Sequence, residues 1–308
     1  MQCALCQSDN FEMVSKDDAK SSMELIVSLC EKCGLIQQTP IPTDEELREY
    51  YSKDYRVDYK QSYSPKPKHV LRASRTAMQR INFLTDSGVS TGTLLDIGAG
   101  GGEFTYLSGK AGFESRGIEP NIGYSEYARN EYNCNIETGE LDDIEGKYDV
   151  VTIFHVLEHL PSPIEAFKKL YQLMAEKGTL LVEVPWIETN DASPHSTYFK
   201  AHISYFSVAT LSSCASQYFD VINVDTSSNL KMLFKAKKTP LALEYPNAPS
   251  VNAVKLRIKQ KGWVEYLFNG KGILKPLRKL AQMVIENRVR NLTGKEIVDN
   301  YFLKSNIN

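Results

Sequence analysis

The stretch TLLDIGAGGGEF, residues 93–104, constrains the fold more tightly than any other part of the sequence. An apolar run ends at Asp96 and Ile97, and four glycines then occupy positions 98, 100, 101 and 102. Glycine adopts left-handed backbone conformations without strain, and a glycine turn leaves the N–H groups of a following helix open to a ligand. We therefore predict a buried strand, a bare turn, and a helix that begins near residue 103.

The segments after this turn alternate between strand-like and helix-like patterns. Strands are predicted at residues 93–97, 115–119, 135–138, 148–154 and 179–184, with helices at 103–112, 123–132 and 162–178. A further helix from about residue 208 and two late strands, 219–226 and 230–237, complete the series. This alternation predicts an α/β fold, namely a Rossmann-like, doubly wound, mostly parallel sheet of seven strands.

The sequence also predicts four segments with different roles. Residues 1–42 form a small N-terminal module, residues 43–90 a connector with lead-in helices, residues 91–238 the α/β domain, and residues 239–308 a basic, mainly helical tail. The lead-in helix is predicted within 66–86, because apolar residues recur there at helical spacing. Those residues are Val70, Leu71, Met78, Ile81 and Leu84.

Two acids accompany the glycine turn. Asp96 stands directly before it, and Glu119 ends the next predicted strand. A carboxylate beside the turn opposes a pyrophosphate but suits a ligand with ammonium and sulfonium charges, and an acid about 20 residues on can bind a ribose diol. Glu103 occupies the position of the third glycine of a dinucleotide fingerprint. A nicotinamide or flavin site, and a turn that only closes a strand–helix junction, are the alternatives.

With these residues, the sequence resembles the class I S-adenosylmethionine-dependent methyltransferases over residues 93–236. The resemblance implies that the glycine loop and the preceding acid contact the methionine part of the cofactor, that the acid after the second strand takes the ribose hydroxyls, and that a pair after the third strand meets the adenine. The cofactor-binding residues implied in this way are Asp96, Gly98, Ala99, Gly100, Glu119, Pro120, Leu141, Asp142, Phe154 and His155.

The segment HVLEHL follows the predicted strand 148–154 and carries the candidate catalytic groups. A hydroxyl acceptor must lose a proton during methyl transfer, and a histidine can accept it near neutral pH. His155 is the first candidate for this general base, followed by His202 and then His195, with Glu158 beside them. One alternative is structural: Glu158 and His159 cap the next helix or bond to neighbouring backbone. The other is a catalytic metal, because His155, Glu158 and His159 resemble the acid/histidine cluster of ubiquinone-pathway and small-RNA-end O-methyltransferases.

Four of the six cysteines lie in the first 33 residues, as two C-x2-C pairs separated by 23 residues. Cys3, Cys6, Cys30 and Cys33 provide the ligand set of a closed, structural zinc site. Two disulfides or a redox pair are the alternatives. No secretory leader is recognisable, so we expect a cytoplasmic protein, in which metal is favoured over disulfides.

The zinc module and the later motifs together give a narrower resemblance. CALCQS, CEKCGLIQQTPIPTDEELREYY, the glycine loop, HVLEHLPSPIEAF and HISYFS look like a group of methyltransferases with an N-terminal zinc-binding domain. This group includes deoxysugar C-methyltransferases and many enzymes encoded with polysaccharide biosynthesis. The resemblance implies a saccharide acceptor, either a nucleotide sugar or a glycan. The chain lacks the large C-terminal domain of the sugar C-methyltransferases, so we expect O-methylation, with C-methylation as the alternative.

The tail has a charge of opposite sign to the rest of the chain. Residues 252–295 carry eleven Lys and Arg against two acids, whereas the whole chain has a net charge of −2. Leu277, Leu280 and Val284 recur at helical spacing there. We expect either a helix whose apolar stripe is core or a homo-oligomer contact, or a surface for a membrane, at its inner face, or for an anionic glycan. Nucleic acid is the least favoured partner.

Two classes of function follow from these observations. The first is an S-adenosylmethionine-dependent methyltransferase that acts on a saccharide hydroxyl, with a histidine base. An RNA or a small phenol is an alternative acceptor for the same enzyme. The second is a non-catalytic zinc-ribbon scaffold protein that docks on a membrane or a partner through its basic tail.

Overall fold

A computed structural model describes residues 2–21, 23–43, 45–47 and 65–305. The strands in these ranges are β1 Phe11–Asp17, β2 Glu24–Cys30, β3 Ile36–Gln38, β4 Gly92–Ile97, β5 Phe113–Glu119, β6 Ile136–Thr138, β7 Tyr148–Phe154, β8 Met174–Val184, β9 Ser204–Tyr205, β10 Phe219–Asp225 and β11 Leu230–Ala236. The helices are α1 Pro67–Asp86, α2 Glu103–Lys110, α3 Ile122–Tyr132, α4 Pro163–Gln172, α5 Val208–Ala215, α6 Ala248–Gln260, α7 Trp263–Phe268, α8 Lys275–Asn287 and α9 Gly294–Ser305. Residues 48–64 of the predicted connector lie outside the described ranges.

The larger sheet has seven strands within the described ranges, in the order β10-β11-β8-β7-β4-β5-β6. β4 pairs in parallel with both β5 and β7, and β5 pairs in parallel with β6. The late strands β10 and β11 form an antiparallel hairpin. This arrangement confirms the predicted Rossmann-like, mostly parallel sheet, and it aligns the carboxyl ends of β4 and β5, where such sheets bind ligands.

The lead-in helix is confirmed as α1. All five of its predicted apolar positions are buried: Val70, Leu71, Met78, Ile81 and Leu84. Pro67 occupies the first helical position, where its missing N–H costs no intrahelical bond. The helix therefore contributes one face to a core and leaves its polar residues outside.

The prediction of a helix over residues 162–178 is wrong in its second half. The helix α4 ends at Gln172, and the strand β8 begins at Met174. The N–H of Tyr148 donates to the carbonyl of Leu173 at 2.9 Å. This hydrogen bond joins the residue before β8 to the first residue of β7. Such tertiary hydrogen bonding outweighs the helical preference of the sequence MAEK.

The smaller sheet joins distant parts of the chain. Its order is β1-β2-β3-β9, so three strands from the N-terminal segment are continued by Ser204–Tyr205. In the antiparallel β3–β9 pair, Ile36 lies opposite Tyr205 and Gln37 opposite Ser204. The N-terminal cysteine segment thus completes its sheet with a strand from the predicted α/β domain.

The chain divides into two compact units. The first comprises Met1–Glu49, Phe154–Gln172 and Val182–Lys275, and the second comprises Tyr50–Ile153, Leu173–Leu181 and Pro276–Asn308. A core cluster in the first unit combines residues from β2, β3, β9 and α6 with one further residue. Its buried members are Leu25, Val27, Leu29, Ile36, Ile187, Tyr205 and Val254. The predicted division into four segments stays a prediction.

The second unit is completed by the last described helix. Ile297 and Val298 of α9 are buried, and Asp299 accepts hydrogen bonds from Tyr106 at 2.8 Å and Lys110 at 2.5 Å. Part of the predicted basic tail is therefore packed against the α/β structure. None of the helices in the described ranges has both the length and the hydropathy that a bilayer-crossing helix needs.

Candidate active site

The glycine turn connects β4 to α2 in left-handed conformations. The φ angles of Gly98, Gly100 and Gly102 are 72°, 55° and 87°. A Cβ atom at position 102 would lie 2.6 Å from the Cβ of Ala128, whereas a Cβ at position 100 would meet no atom within 4 Å. Glycine is therefore required at position 102 because a side chain would clash with Ala128. At position 100 glycine is favoured by the left-handed backbone conformation, and the space beside it is open. A ligand can approach the backbone at Gly100.

Asp96 lies beneath this turn with only 2% of its surface exposed. Its two carboxylate oxygens accept hydrogen bonds from the hydroxyls of Thr105 and Thr152, each at 2.9 Å. Burial raises the pKa of Asp96 to about 6, although the two hydroxyls oppose this change. At neutral pH it is an ionised, desolvated carboxylate, whose charge can act strongly on a nearby cation.

Glu119 at the end of β5 holds the turn from the next strand. Its carboxylate accepts the N–H of Gly100 at 2.8 Å and the N–H of Asn121 at 2.9 Å. Burial raises the pKa of Glu119. Each carboxylate oxygen has a second lone pair, so the same group can still accept a hydrogen bond from a ligand hydroxyl.

The remaining residues predicted to bind cofactor lie at or after the ends of four strands, β4 to β7. Ala99 lies in the glycine turn, where its N–H donates to the carbonyl of Ile118 at 3.0 Å. Pro120 is exposed directly after β5. Leu141 and Asp142 form part of a short 3-10 turn after β6, and Phe154 is the buried last residue of β7.

Glu158 is the centre of a second cluster, which lies in the first unit. It is 1% exposed, and neither carboxylate oxygen has a hydrogen-bond partner among the described residues. The nearest ring nitrogens to its Oε1 atom belong to three histidines: His155 Nδ1 at 3.3 Å, His159 Nε2 at 3.9 Å and His202 Nε2 at 4.0 Å. An isolated buried charge is strongly unfavourable, so a desolvated carboxylate needs nearby groups that can carry positive charge, and these histidines can provide it.

His155 is held between acids. Its backbone adopts a φ of 55°, which is uncommon for a residue other than glycine. Its Nε2 atom lies 3.4 Å from Glu183 and 3.1 Å from the Asn229 amide. Burial alone would lower the pKa of His155, but Glu158 and Glu183 raise it to about 9. His155 therefore carries a proton at neutral pH.

His202 has the opposite electrostatic character. Burial lowers its pKa to about 4, although Glu158 opposes this change. Its ring packs 4.2 Å from the ring of Phe199 and 5.0 Å from the ring of His159, measured between centroids. His202 is thus neutral at pH 7 and keeps a ring nitrogen lone pair.

Gln38 fixes the backbone of the segment that carries His202. Its side-chain amide donates to the carbonyl of Lys200 at 2.8 Å and to the carbonyl of His202 at 2.9 Å. The N–H of Ile203 donates to the carbonyl of Glu158 at 2.8 Å. The smaller sheet therefore positions His202 and Glu158 relative to each other.

Glu158, His159 and His202 also have the chemistry of a cation site. One ligand atom from each lies within 4.8 Å of the others. His159 Nδ1 lies 2.6 Å from the carbonyl of Ala201, to which it donates a hydrogen bond. A backbone carbonyl commonly orients a metal-binding histidine in this way. The predicted metal alternative named His155, whereas the structure groups His202 with Glu158 and His159.

The third candidate base, His195, lies in the short 3-10 turn Pro194–Ser196. Its side chain is outside the described part of the structure.

The four N-terminal cysteines converge as their spacing predicts. All are buried, and their sulfurs lie within 4.8 Å of one another. The Cys3–Cys33 and Cys6–Cys30 sulfur pairs are each separated by 3.5 Å. A disulfide requires about 2.05 Å, whereas a tetrahedron with Zn–S bonds of about 2.3 Å has edges of roughly 3.8 Å. The geometry therefore suits a four-thiolate metal site better than disulfides.

Several side chains that shape the two sites were missed by sequence reasoning. They are Gln38, Thr105, Thr152, Glu183 and Asn229. One signal was available for Glu183, since an acid inside the apolar run TLLVEV must have a buried partner. Asn229 lies in a polar loop and carries no comparable signal.

Comparison with known proteins adds a family and relatives. The profile of a family described as a methyltransferase domain matches residues 69–236, which is more than half of the chain. The chain is 24% identical over 113 residues to the ubiquinone biosynthesis O-methyltransferase of Pseudomonas paraeruginosa. This match covers 33% of the chain and 49% of the relative, so the chain spans about half the length of that curated relative.

Two solved methyltransferase structures are among those that match part of the chain. Magnesium protoporphyrin IX methyltransferase from Synechocystis, with bound S-adenosylhomocysteine, is 18% identical with a TM-score of 0.47, over 63% of this chain and 99% of that chain. An N-methyltransferase from Bradyrhizobium japonicum, in complex with S-adenosylhomocysteine, is 13% identical with a TM-score of 0.43, over 53% of this chain and 87% of that chain.

Proposed function

This chain belongs to the methyltransferase-domain family, and from that premise we propose that it transfers a methyl group from S-adenosylmethionine to a hydroxyl group of a saccharide, either a nucleotide sugar or a glycan. The observation that carries the proposal is the bare, left-handed turn at Gly100 between the buried acids Asp96 and Glu119. The saccharide as acceptor is supported by the sequence resemblance to methyltransferases of polysaccharide biosynthesis.

The donor side uses backbone and carboxylates. S-adenosylmethionine supplies an electrophilic methyl group on a positively charged sulfur. Glu119 accepts the ribose hydroxyls with its free lone pairs, and the open space beside the Gly100 backbone admits the methionine part. The desolvated charge of Asp96 favours a cationic ligand over a pyrophosphate.

The acceptor side uses the cluster around Glu158. The acceptor oxygen forms a bond to the methyl carbon as the carbon–sulfur bond breaks, and the hydroxyl proton passes to a base. His202 is the candidate for this base, because it is neutral and keeps a lone pair. Glu158 stabilises the imidazolium that forms, at 4.0 Å from its Nε2 atom. His155, already protonated, orients the acceptor through its positive charge.

A second candidate chemistry is favoured by the unpartnered oxygens of Glu158. Glu158, His159 and His202 would hold a divalent cation through one carboxylate and two imidazoles, a donor set that suits zinc and related metals. Such a cation supplies positive charge that binds the acceptor oxygen and lowers the pKa of its hydroxyl. In this case His202 acts as a ligand, and His155 keeps its orienting role.

The four cysteines are assigned to a structural zinc ion in the same proposal. Four sulfur ligands leave no open coordination position, so this ion would stabilise the smaller sheet and take no part in chemistry. Through β3, β9 and Gln38, that sheet sets the position of His202.

The test is methyl transfer from labelled S-adenosylmethionine to fractionated carbohydrate, lipid and RNA of the host, followed by mass spectrometry of the methylated product. We expect label in the carbohydrate fraction, as a methyl ether. A methyl–carbon bond in the product would replace O-methylation with C-methylation. Label confined to RNA or to a phenol would overturn the saccharide assignment.

Calorimetry separates an idle scaffold from an enzyme. We expect binding of both S-adenosylmethionine and S-adenosylhomocysteine, weakened at least about tenfold by Asp96→Ala or Glu119→Ala, since a lost charge-assisted contact contributes about 1.5–3 kcal/mol. Absence of binding together with absence of transfer to every fraction would favour the scaffold.

A further inference from the structure

Helix α8 exposes its apolar face. The exposed fractions of Leu277, Leu280 and Val284 are 65%, 60% and 61%. These residues recur at spacings of three and four, so they form one stripe along the helix. Met283 and Ile285 flank the stripe and are also exposed. The expectation that this stripe is ordinary core is therefore wrong for the described structure.

The polar face of α8 is turned toward the protein. Glu286 is only 8% exposed and accepts a hydrogen bond from Arg72 of α1 at 2.6 Å. Gln282, one turn earlier, donates to the same carboxylate at 2.7 Å. Surface helices of globular proteins normally bury the apolar stripe and expose the polar one. Here the ion pair anchors the helix with the reverse orientation.

The surroundings of the apolar stripe are basic. Arg278, Lys279, Arg288 and Arg290 lie within or directly after α8, where Glu286 is the one acid between positions 276 and 292. Lys66 and Lys68 lie at the start of α1, and the charges of Arg72 and Lys68 help to lower the pKa of Glu286. The unit that exposes this apolar stripe thus also carries a group of cations on α8 and at the start of α1.

The positive charge of these residues favours some partners over others as the surface that covers the apolar stripe. A second copy of the chain would bring the same cations together on both sides, which is unfavourable. Nucleic acid would neutralise the cations but would leave the aliphatic side chains without an apolar environment. An anionic lipid surface satisfies both features, because apolar side chains enter the acyl boundary and cations remain among the headgroups.

We propose that α8 binds the interface of an anionic lipid bilayer, with Leu277, Leu280 and Val284 in the acyl boundary and Arg278 and Lys279 among the headgroups. The proposal does not depend on methyl transfer, since lipid binding is measured without substrate. It places the unit that carries the glycine turn at a membrane surface.

The experiment is co-sedimentation of the purified full chain with vesicles of phosphatidylcholine alone and of phosphatidylcholine mixed with phosphatidylglycerol. We expect binding to the anionic vesicles, weakened by salt, and little binding to neutral vesicles. The double substitution Leu280→Glu with Val284→Glu should lower the partition coefficient at least about tenfold. Ile122→Glu, on an equally exposed residue of α3 (63%), should leave it unchanged.

A second variant keeps the test decisive if the first one misfolds. Arg278→Glu with Lys279→Glu alters exposed charges only and should reduce binding to anionic vesicles about tenfold. Far-UV circular dichroism and thermal unfolding show whether each variant is folded. Equal binding to neutral vesicles, or no binding to either kind, overturns the proposal. So does concentration-dependent dimerisation that is abolished by Leu280→Glu with Val284→Glu, because a second copy then covers the stripe.

Discussion

The glycine turn and the glutamate–histidine cluster both contain buried carboxylates, but these are satisfied in different ways. The oxygens of Asp96 and Glu119 accept hydrogen bonds from nearby hydroxyl and N–H groups. Both oxygens of Glu158 lack a donor among the described residues. The first site is therefore complete before a ligand binds. In the second site, the buried carboxylate of Glu158 can still be stabilised by a bound proton or a cation.

The two regions also differ in how the chain assembles them. Most of the first site comes from one run of sequence, from β4 through the turn to the end of β5. The second draws on Gln38, the segment 155–159, Glu183, His202 and Asn229. Substitutions in the first site should consequently affect ligand affinity locally, whereas substitutions in the second should affect turnover and respond to changes in the distant smaller sheet.

The largest effect is expected from Glu158→Gln. Loss of the charge that stabilises the His202 imidazolium should lower kcat by as much as about 10⁴-fold, the effect of neutralising the carboxylate partner of a catalytic histidine. Affinity for S-adenosylmethionine should remain within about twofold, because binding of this ligand is assigned to the glycine turn. The melting temperature should change little, because the loss of the buried charge at Glu158 is offset by the loss of its ion pair with the protonated His155. A fall in melting temperature together with activity would show that Glu158 is structural.

Metal removal should have the next largest effect. The substitution Cys30→Ser, or a strong chelator, should release about one zinc ion per chain and unfold the smaller sheet, because metal affinity is folding energy at such sites. Transfer should fall about a hundredfold as His202 loses its support. Hydrogen exchange should rise in residues 198–206 and remain unchanged in residues 92–119. A uniform rise in both regions would contradict the separation of the two sites.

Gly100→Ala tests the open space beside the turn. It should weaken S-adenosylmethionine binding at least about tenfold, because a methyl group would occupy the space through which the ligand approaches. Gly88→Ala is the matched control, since Gly88 also has a positive φ of 84° and a Cβ atom there would meet no atom within 4 Å. Both substitutions should cost about 1 kcal/mol of unfolding free energy through backbone strain. If the two variants bind S-adenosylmethionine with equal affinity in calorimetry, the ligand does not bind beside Gly100.

Gln38→Leu tests the link between the smaller sheet and the cluster. The partly buried carbonyls of Lys200 and His202 would lose their donor, so transfer should fall about fivefold to tenfold with a stability loss of about 1–3 kcal/mol. Gln37→Leu is the control, because the buried Gln37 side chain bonds to the backbone of Gln2 and Ala4. The control should lose similar stability and keep its kcat. If Gln38→Leu and Gln37→Leu lower kcat equally, Gln38 does not position His202.

The smallest effect on catalysis is expected from Glu103→Gln. Burial raises the pKa of Glu103 from its ordinary 4.5 to about 7, so folding favours the protonated acid. Its stability contribution is complete below pH 4.5 and is lost as the pH rises toward 7. A glutamine at this position has no charge to bury, so the variant should not lose this free energy of unfolding, which amounts to about 3 kcal/mol at most. Its melting temperature at pH 8 should exceed that of the wild type, and its rate of methyl transfer should be unchanged. A pH dependence equal to that of the wild type would contradict this role.

Helix α8 shows where periodicity is informative and where it is not. The spacing of Leu277, Leu280 and Val284 correctly predicted a helix with an apolar stripe. The direction of that stripe could not be predicted, because it depends on the ion pair between Glu286 and Arg72, 214 residues away in sequence. Periodicity defines the faces of a helix, but only its neighbours decide which face is buried.

The sequence alone determined the features that depend on neighbouring residues. The strand–glycine turn–helix at 92–110, the buried face of α1 and the convergence of the four cysteines all follow from local conformation, periodicity and ligand spacing. The tertiary structure alone decided that MAEK becomes part of β8, that Ser204–Tyr205 extends the smaller sheet, and that three histidines surround Glu158. These features depend on hydrogen bonds and charges between segments far apart in the chain, and a one-dimensional pattern does not specify which distant groups meet.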